Sequence, residues 1–202
     1  MAPSMLAADF ARLSKKVAEA EKAGADRIHV DVMDGHAVPN LSTGAPIVQS
    51  LRRVTHLPLE MHLMISDADF FLEQFADAGS SDLLLVHWEG NDALHRTVQR
   101  VRTLGKRVGV VINPATPTAV LEEILQDVEQ VWVMTVSARV GHQQFLATTP
   151  PKIGRVRQMI EKKGSPGESV GKGMTHPVLG SGKMAVRADH QAREGERDAV
   201  ED

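Results

Sequence analysis

The stretch HVDVMDGH, residues 29–36, places two acids and two histidines among valine and methionine. Alternate residues of a β-strand share a face, so the two valines point one way while His29 and Asp31 point the other. Buried carboxylates and imidazoles cost free energy unless a partner compensates them. The pattern therefore predicts a strand that packs its valines against helices and directs His29 and Asp31 into a site.

A second stretch, LEMHLM at residues 59–64, has the same period of two. It places Glu60 and His62 on one face of a strand. If the two strands are neighbours, His62 can meet His29 and Asp31. Two imidazoles and a carboxylate that converge are ligands for Zn²⁺, Fe²⁺, Mn²⁺ or Co²⁺. The residues alone leave open the alternative that each histidine is a buried core residue with its own hydrogen-bond partner.

Strand and helix patterns alternate six times along the chain. The predicted strands are Ala2–Leu6, Arg27–Met33, Leu57–Met64, Leu83–His87, Arg107–Ile112 and Val131–Val136. The predicted helices are Phe10–Ala23, Ile47–Arg53, Asp69–Ala78, Asp92–Leu104, Thr118–Gln126 and Lys152–Lys162, with Ser66 as the expected cap of the third. Such alternation predicts a parallel sheet with right-handed crossovers.

Two layouts fit this alternation, an open doubly wound sheet and a closed barrel. The doubly wound nucleotide-binding fold calls for a G-x-G-x-x-G turn after an early strand, and the sequence has none there. A barrel instead places functional side chains at the ends of several strands. Such side chains here are His29, Asp31, His62, His87, Asn113 and Thr135. We therefore predict an α/β protein with an incomplete (β/α)₈ TIM barrel, of which six βα units are recognisable.

Composition narrows the function further. A formal charge of −3, from 23 Lys and Arg against 26 Asp and Glu, implies no basic face, so we expect no nucleic-acid partner. Without cysteine, any metal ligands must be histidines and carboxylates. The N-terminus lacks a signal-peptide pattern, and no run reaches the roughly 18 apolar residues of a membrane span. We therefore expect a cytoplasmic protein with no membrane partner.

The character of the sequence changes near its end. Residues 161–202 hold 7 of the 16 glycines and no aromatic residue. Their apolar runs are too short for buried strands, which is typical of disordered segments. We therefore predict a partial barrel over residues 1–162 and a glycine-rich, disordered tail over residues 163–202.

Several motifs resemble, in order and spacing, those of the ribulose-phosphate 3-epimerase (pentose-5-phosphate 3-epimerase) family. They are PSMLAADFARL (3–13), GADRIHVDVMDGHAVPN (24–40), GAPIVQSLR (44–52), LEMHLM (59–64), VHWEG (86–90), INPATP (112–117) and VMTV (133–136). The resemblance covers about residues 2–160. It implies a TIM barrel of the ribulose-phosphate-binding type and a homo-oligomer. It also implies an isomerase of the pentose phosphate pathway that interconverts D-ribulose 5-phosphate and D-xylulose 5-phosphate.

The resemblance also implies roles for particular residues. His29, Asp31 and His62 correspond to three of the four ligands of one divalent metal ion, and no organic cofactor is expected. Asp31 corresponds to the base that removes the proton from C3 of the sugar. Residues expected to contact the phosphorylated ketose substrate are Ser4, Met33, His62, Met64 and Gly141.

The sequence departs from the family pattern in two places. The family carries a second acid, also the fourth metal ligand, in an apolar-Asp-Gly-Gly motif on strand seven, but the only Asp-Gly here is Asp34-Gly35. The family's glycine-rich phosphate loop is replaced by SARVGHQQF (137–145), with Arg139 and His142 where glycine is expected. We therefore expect little or no epimerase activity from this chain. The alternatives are a catalytically dead metal-binding remnant and an epimerase of a related ketose phosphate such as allulose 6-phosphate.

Overall fold

The structure is a computed structural model, and it describes residues 1–78, 81–136, 145–164, 174–175 and 183–187. The strands are β1 (Ile28–Met33), β2 (Leu59–Met64), β3 (Ser81–His87), β4 (Arg107–Ile112), β5 (Gln130–Met134), β6 (Met174–Thr175) and β7 (Lys183–Arg187). The α-helices are α1 (Leu13–Lys22), α2 (Ala45–Arg52), α3 (Ala68–Asp77), α4 (Leu94–Thr103) and α5 (Pro150–Gly164). Short 3₁₀ helices cover Met5–Ala7, Phe10–Arg12 and Thr118–Leu121.

Strands β1 to β5 form a parallel sheet in chain order. Parallel neighbours require a crossover, and a helical segment supplies it between each successive pair. The α/β class and the barrel-type alternation of strands and helices are thus confirmed. The parallel run in the described residues contains five strands, one fewer than the sequence predicts.

The predicted first strand, Ala2–Leu6, is wrong as a full strand. It is reduced to one parallel bridge between Ser4 and His29, whose N–H donates to the Pro3 carbonyl at 2.9 Å. The chain then turns into the first 3₁₀ helix because the Ser4 hydroxyl accepts from the N–H of Leu6 at 3.2 Å. Ser4 nevertheless lies beside β1, at the place where a first strand would run.

The two faces of the sheet are packed differently. The face toward the helices is apolar and includes Val30 and Val32, together with Val17 of α1 and Leu72 of α3. The opposite, inner face carries a smaller apolar cluster of Leu83, Leu85, Val111, Trp132 and Met134. The predicted division of β1, with its valines against the helices and its polar residues on the other face, is confirmed.

Two further helix predictions need correction. The cap of α3 is Asp67, whose carboxylate accepts from the N–H of Phe70 at 3.1 Å, and not Ser66. Ser66 instead binds Asp34: its N–H donates to the Asp34 carboxylate at 2.7 Å. The helix predicted over Thr118–Gln126 is only a 3₁₀ helix that ends at Leu121, followed by further turns such as the Ile124 N–H to Leu121 carbonyl bond.

Beyond α5 the structure describes only two short strands. Strand β7 pairs antiparallel with β5, and β6 pairs antiparallel with β7. Of the predicted tail, residues 163–202, the structure describes only these two strands and the last two residues of α5. The boundary at residue 162 and the predicted disorder therefore stay predictions.

Candidate metal centre

Three side chains from β1 and β2 converge on the inner face of the sheet. The parallel register places Asp31 opposite His62, and His29 lies two residues earlier on the same face. All three residues are buried, and one donor atom from each lies within 4.8 Å of the others. The convergence that the period of two predicts is therefore present.

Asp31 is the centre of this cluster. Its Oδ1 atom lies 3.0 Å from Nδ1 of His62 and 3.2 Å from Nε2 of His29. Its Oδ2 atom accepts a hydrogen bond from the Ser4 hydroxyl at 2.7 Å. Ser4, predicted to contact substrate, thus lies against the predicted base and orients its carboxylate.

The far side of His29 contacts a second buried carboxylate. Nδ1 of His29 lies 2.6 Å from Oε1 of Glu60, and Oε2 of Glu60 accepts from Nη1 of Arg27 at 2.9 Å. Burial raises the pKa of Glu60, but the hydrogen bond and charge of His29, with those of Arg27, outweigh it and hold the pKa below its usual range. Glu60 is therefore a charged group at neutral pH.

The far side of His62 leads to a third carboxylate through another imidazole. Nε2 of His62 lies 2.8 Å from Nε2 of His87, and Nδ1 of His87 lies 3.3 Å from Oε2 of Glu89. Oε1 of Glu89 accepts from the N–H of Asn113 at 2.7 Å and from the hydroxyl of Thr116. Burial alone raises the pKa of Glu89, but these hydrogen bonds, with that of His87, lower it to about 2.

Aromatic packing holds the imidazole rings in place. The ring of His29 stacks on Trp132, with centroids 5.0 Å apart and an interplanar angle of 16°. The rings of His62 and His87 stack in the same way, at 5.0 Å and 19°. The indole of Trp132 donates to the side chain of Gln130 at 3.0 Å, so its polar atom is satisfied in this buried setting.

A cavity of about 300 Å³ opens beside the cluster. Its wall includes Val38, Met64, Ser66, His87, Glu89 and Asn113. The cavity meets the cluster at His87, which contacts His62. Its size is at the lower end of pockets that hold small organic ligands, which begin at about 300 Å³.

The remaining predicted substrate residues have different outcomes. Met64 lines the cavity and is the register partner of Met33, which is partly exposed at the end of β1. Gly141 lies outside the described residues, so its predicted contact with substrate stays a prediction.

The sequence reasoning missed other residues of this site. Arg27 and Trp132 carry no motif of their own, although Arg27 lies two residues before His29 and so shares its face. Asp34 organises the rim of the cavity, because its carboxylate accepts from the N–H groups of His36, Ala37 and Ser66 at 2.7–2.9 Å. Burial raises the pKa of Asp34, but the hydrogen bonds from Ser66 and the loop hold it well below its usual range.

The donor set fits a divalent metal ion. It consists of two imidazole nitrogens and one carboxylate oxygen, all buried and mutually close. The other ring nitrogen of each histidine is already engaged, which is the arrangement that ligating histidines show in metal sites. The residues that would hold the ion are His29, Asp31 and His62.

Parallel strands that alternate with helices, and a buried His-Asp-His cluster on the sheet face away from those helices, define an α/β protein of the barrel type with a candidate metal centre. The model of the ribulose-phosphate 3 epimerase family matches residues 1–172. The chain belongs to this family, whose members are isomerases. The match runs past the predicted boundary at residue 162 and past the predicted end of the resemblance at about residue 160.

Named relatives agree with the family match. The ribulose-phosphate 3-epimerase of Bacillus subtilis (strain 168) is 48% identical over 164 residues, 81% of this chain and 75% of the relative. The ribulose-phosphate 3-epimerase of Synechocystis sp. (strain ATCC 27184 / PCC 6803 / Kazusa) is 42% identical over 195 residues, 93% of this chain and 84% of the relative. The chloroplastic ribulose-5-phosphate-3-epimerase of Arabidopsis thaliana is 41% identical over 195 residues, 93% and 69% of the two chains.

These relatives support epimerase function for this chain and confirm the resemblance of its motifs. Within the residues that the structure describes, no helix combines the length and apolar character that a membrane span requires.

Proposed function

We propose that this chain carries the metal centre and one of the two acid/base groups of a metal-assisted epimerase that interconverts D-ribulose 5-phosphate and D-xylulose 5-phosphate at C3. The observation that carries the proposal is the convergence of His29, Asp31 and His62 within 4.8 Å in a buried position. The metal is Zn²⁺, Fe²⁺, Mn²⁺ or Co²⁺, and the reaction needs no organic cofactor. The substrate is a small phosphorylated ketose, seated in the cavity beside His87.

The chemistry requires stabilisation of the anion that forms when a weakly acidic proton is removed from the sugar. A proton on a carbon next to a ketone is only weakly acidic, and its removal leaves an enediolate whose negative charge lies on the sugar oxygens and needs stabilisation. A bound divalent ion would supply Lewis-acid stabilisation of that charge. His29, Asp31 and His62 would hold the ion, and all three side chains are buried.

Asp31 is the group that moves the proton. Its carboxylate takes the proton from C3 and returns a proton to the same carbon, so it acts as base and then as acid. The Ser4 hydroxyl, 2.7 Å from Oδ2, fixes the plane of this carboxylate. Met33 and Met64 supply apolar surface near the reacting carbon.

Inversion at C3 also requires an acid on the opposite face of the sugar. The sequence contains no second Asp-Gly motif, and Arg139 and His142 stand in the phosphate loop where glycine is expected. We therefore propose that the chain epimerises slowly or not at all. Because Asp31 is present, we expect the chain still to exchange the C3 proton with solvent.

The experiment follows both hydrogen exchange and inversion by NMR. Purified full chain with Zn²⁺, Fe²⁺, Mn²⁺ or Co²⁺ is incubated in D₂O with each of the two pentulose phosphates. We expect deuterium at C3 of one epimer, faster than its conversion to the other, and loss of exchange in Asp31→Asn. Normal turnover would overturn the proposed inactivity, and absence of exchange with every metal would favour the dead remnant.

Two further expectations are tested by separate measurements. An epimerase of a related ketose phosphate uses the same metal site, so a substrate panel that includes allulose 6-phosphate distinguishes it by relative exchange rates. The homo-oligomer implied by the family is tested by light scattering on the purified chain. The cytoplasmic location stays a prediction, and one relative carries the word chloroplastic in its name.

A further inference from the structure

We infer that Asn113 is a further substrate-binding residue, whose side-chain oxygen Oδ1 accepts a hydrogen bond from a hydroxyl of the ketose phosphate. The hydroxyl is one that takes no part in the reaction, at C1 or C4 of the sugar. The inference rests on the proposed function, because it assumes that the cavity beside His87 holds a pentulose phosphate.

The side-chain oxygen of Asn113 is buried without a partner. Among the side chains that the structure describes, Oδ1 of Asn113 is the buried nitrogen or oxygen atom that lacks a hydrogen bond. A buried acceptor without a donor costs free energy, so such an atom in a native protein calls for an explanation. Asn113 forms part of the cavity wall, where a ligand can supply the donor.

Three other polar side chains of the same wall already have protein partners. The hydroxyl of Ser66 donates to a carboxylate of the cavity rim. Both ring nitrogens of His87 lie within hydrogen-bond distance of other side chains, at 2.8 Å from His62 and 3.3 Å from Glu89. Both carboxylate oxygens of Glu89 are engaged as well. Asn113 differs from these residues because its buried polar atom is left for a ligand.

The main chain of Asn113, which follows β4, is held on both sides. Its N–H donates to Oε1 of Glu89 at 2.7 Å. Its carbonyl accepts from the N–H of Thr116 at 3.1 Å and from Nζ of Lys152 at 2.6 Å. Lys152 is buried in α5, and its Nζ also donates to the Pro114 carbonyl at 3.2 Å. These bonds fix the backbone that carries the side chain, and none of them involves the side-chain amide.

The chemistry of the sugar limits which group Asn113 can bind. Removal of the C3 proton creates an enediolate whose charge lies on the oxygens of C2 and C3. Those two oxygens belong to the reacting part, at the cluster of His29, Asp31 and His62. The phosphate is on C5, and an amide oxygen accepts hydrogen bonds but does not donate them, so it does not suit a phosphate. The hydroxyls on C1 and C4 remain as donors to Oδ1.

Such a contact would make Asn113 a determinant of specificity. A site built to hydrogen-bond a substrate hydroxyl discriminates against an analogue that lacks it, because the buried polar group is then left unpaired. For a bond between uncharged groups we expect about a 3- to 10-fold change in affinity. The effect should be confined to one hydroxyl of the ligand, whereas a general disturbance of the cavity would weaken every ligand alike.

Binding of three ligands to the full chain with Zn²⁺ tests the inference. The ligands are D-xylulose 5-phosphate and its 1-deoxy and 4-deoxy analogues, and isothermal titration calorimetry measures their dissociation constants. In wild type we expect one analogue to bind about 3- to 10-fold more weakly than the parent sugar. In Asn113→Ala, and in Asn113→Leu with its similar side-chain volume, the parent sugar should bind as weakly as that analogue. The affinity for the analogue itself should stay as in wild type.

Gln49→Ala is the matched control, because it removes an exposed side-chain amide on α2. We expect less than a twofold change for each ligand in this variant. Urea unfolding identifies any variant that does not fold. The ¹³Cγ resonance of Asn113 in wild type supplies a readout that needs no variant. It should shift with D-xylulose 5-phosphate and shift less with the analogue that lacks the contacted hydroxyl.

The outcomes separate the inference from the proposed function. If the Asn113 variants bind all three ligands as wild type does, or bind all three more weakly by the same factor, the inference is overturned. The proposed function still stands in that case if wild type exchanges the C3 proton. If the selective loss is seen but wild type shows no C3 exchange, the contact stands and the proposed proton transfer fails. If wild type binds none of the three ligands, both are overturned.

Discussion

Gly109 lies where two neighbouring strands leave no room for a side chain. It lies in β4, opposite Leu85 of β3 and Gln130 of β5. A Cβ atom at this position would lie 2.5 Å from Cδ2 of Leu85 and 3.1 Å from the carbonyl oxygen of Gln130. Leu85 is fully buried in the inner-face cluster, and the carbonyl belongs to the backbone of a paired strand. Neither atom can move away from an added Cβ without shifting the inner-face cluster, to which Trp132 also belongs.

We therefore expect Gly109→Ala to destabilise the protein by about 1–3 kcal/mol, the usual cost of overpacking a buried site. A loss of about 2 kcal/mol is roughly a 30-fold change in the unfolding equilibrium. With a urea dependence of about 2 kcal/mol per molar, the unfolding midpoint falls by about 1 M. Tryptophan fluorescence follows the transition, because Trp132 lies in the same cluster.

Gly154→Ala is the matched control. Gly154 lies within α5, and a Cβ there would meet no heavy atom within 4 Å. Alanine is favoured over glycine in a helix by about 1 kcal/mol, so this variant should unfold at a higher urea concentration than wild type. If Gly109→Ala unfolds at or above the wild-type midpoint, the close packing of the three strands is wrong.

Three further predictions concern the site. Ser4→Ala removes the hydrogen bond to Asp31 and should slow C3 deuterium exchange by about 10- to 100-fold, which corresponds to the energy of a hydrogen bond to a charged group. An unchanged exchange rate would show that Ser4 has no role in proton removal. The pKa of Glu89 lies at about 2, below its ordinary 4.5, so its stabilising contribution is complete above that ordinary value and disappears as pH falls through about 2. The difference in unfolding free energy between wild type and Glu89→Gln should shrink over that interval, and a constant difference would contradict the shift. Asp34→Ala removes the acceptor for the N–H groups of His36 and Ala37, so hydrogen exchange at these amides should accelerate. Unchanged exchange rates at both amides would contradict this role of Asp34.

The cluster itself could be predicted from the sequence because its determinants are local. The period of two places His29 and Asp31 on one face of β1, and the same period selects His62 in β2. Only one further assumption, that consecutive strands are neighbours, brings the three together. The hydrophobic alternation of both strands also predicts which face meets the helices.

The outer partners could not be predicted because they depend on three-dimensional contacts. Trp132 is 103 residues from the His29 ring on which it stacks, and no local pattern connects the two. Glu60 shares a face with His62, but its hydrogen bond to His29 follows from the register of β1 and β2. The predicted strand at Ala2–Leu6 failed because the Ser4 hydroxyl caps a 3₁₀ turn, a competition that strand propensity does not describe.

The stoichiometry of metal binding tests the central claim most directly. Equilibrium dialysis of the full chain against Zn²⁺ or Co²⁺, followed by elemental analysis, counts bound ions per chain. The account predicts one tightly bound ion in wild type and in the control His95→Ala, whose histidine is exposed. It predicts loss of that ion in His29→Ala, Asp31→Asn and His62→Ala. Retention of one tightly bound ion in all three variants, or its absence from wild type, would contradict a metal centre at this cluster.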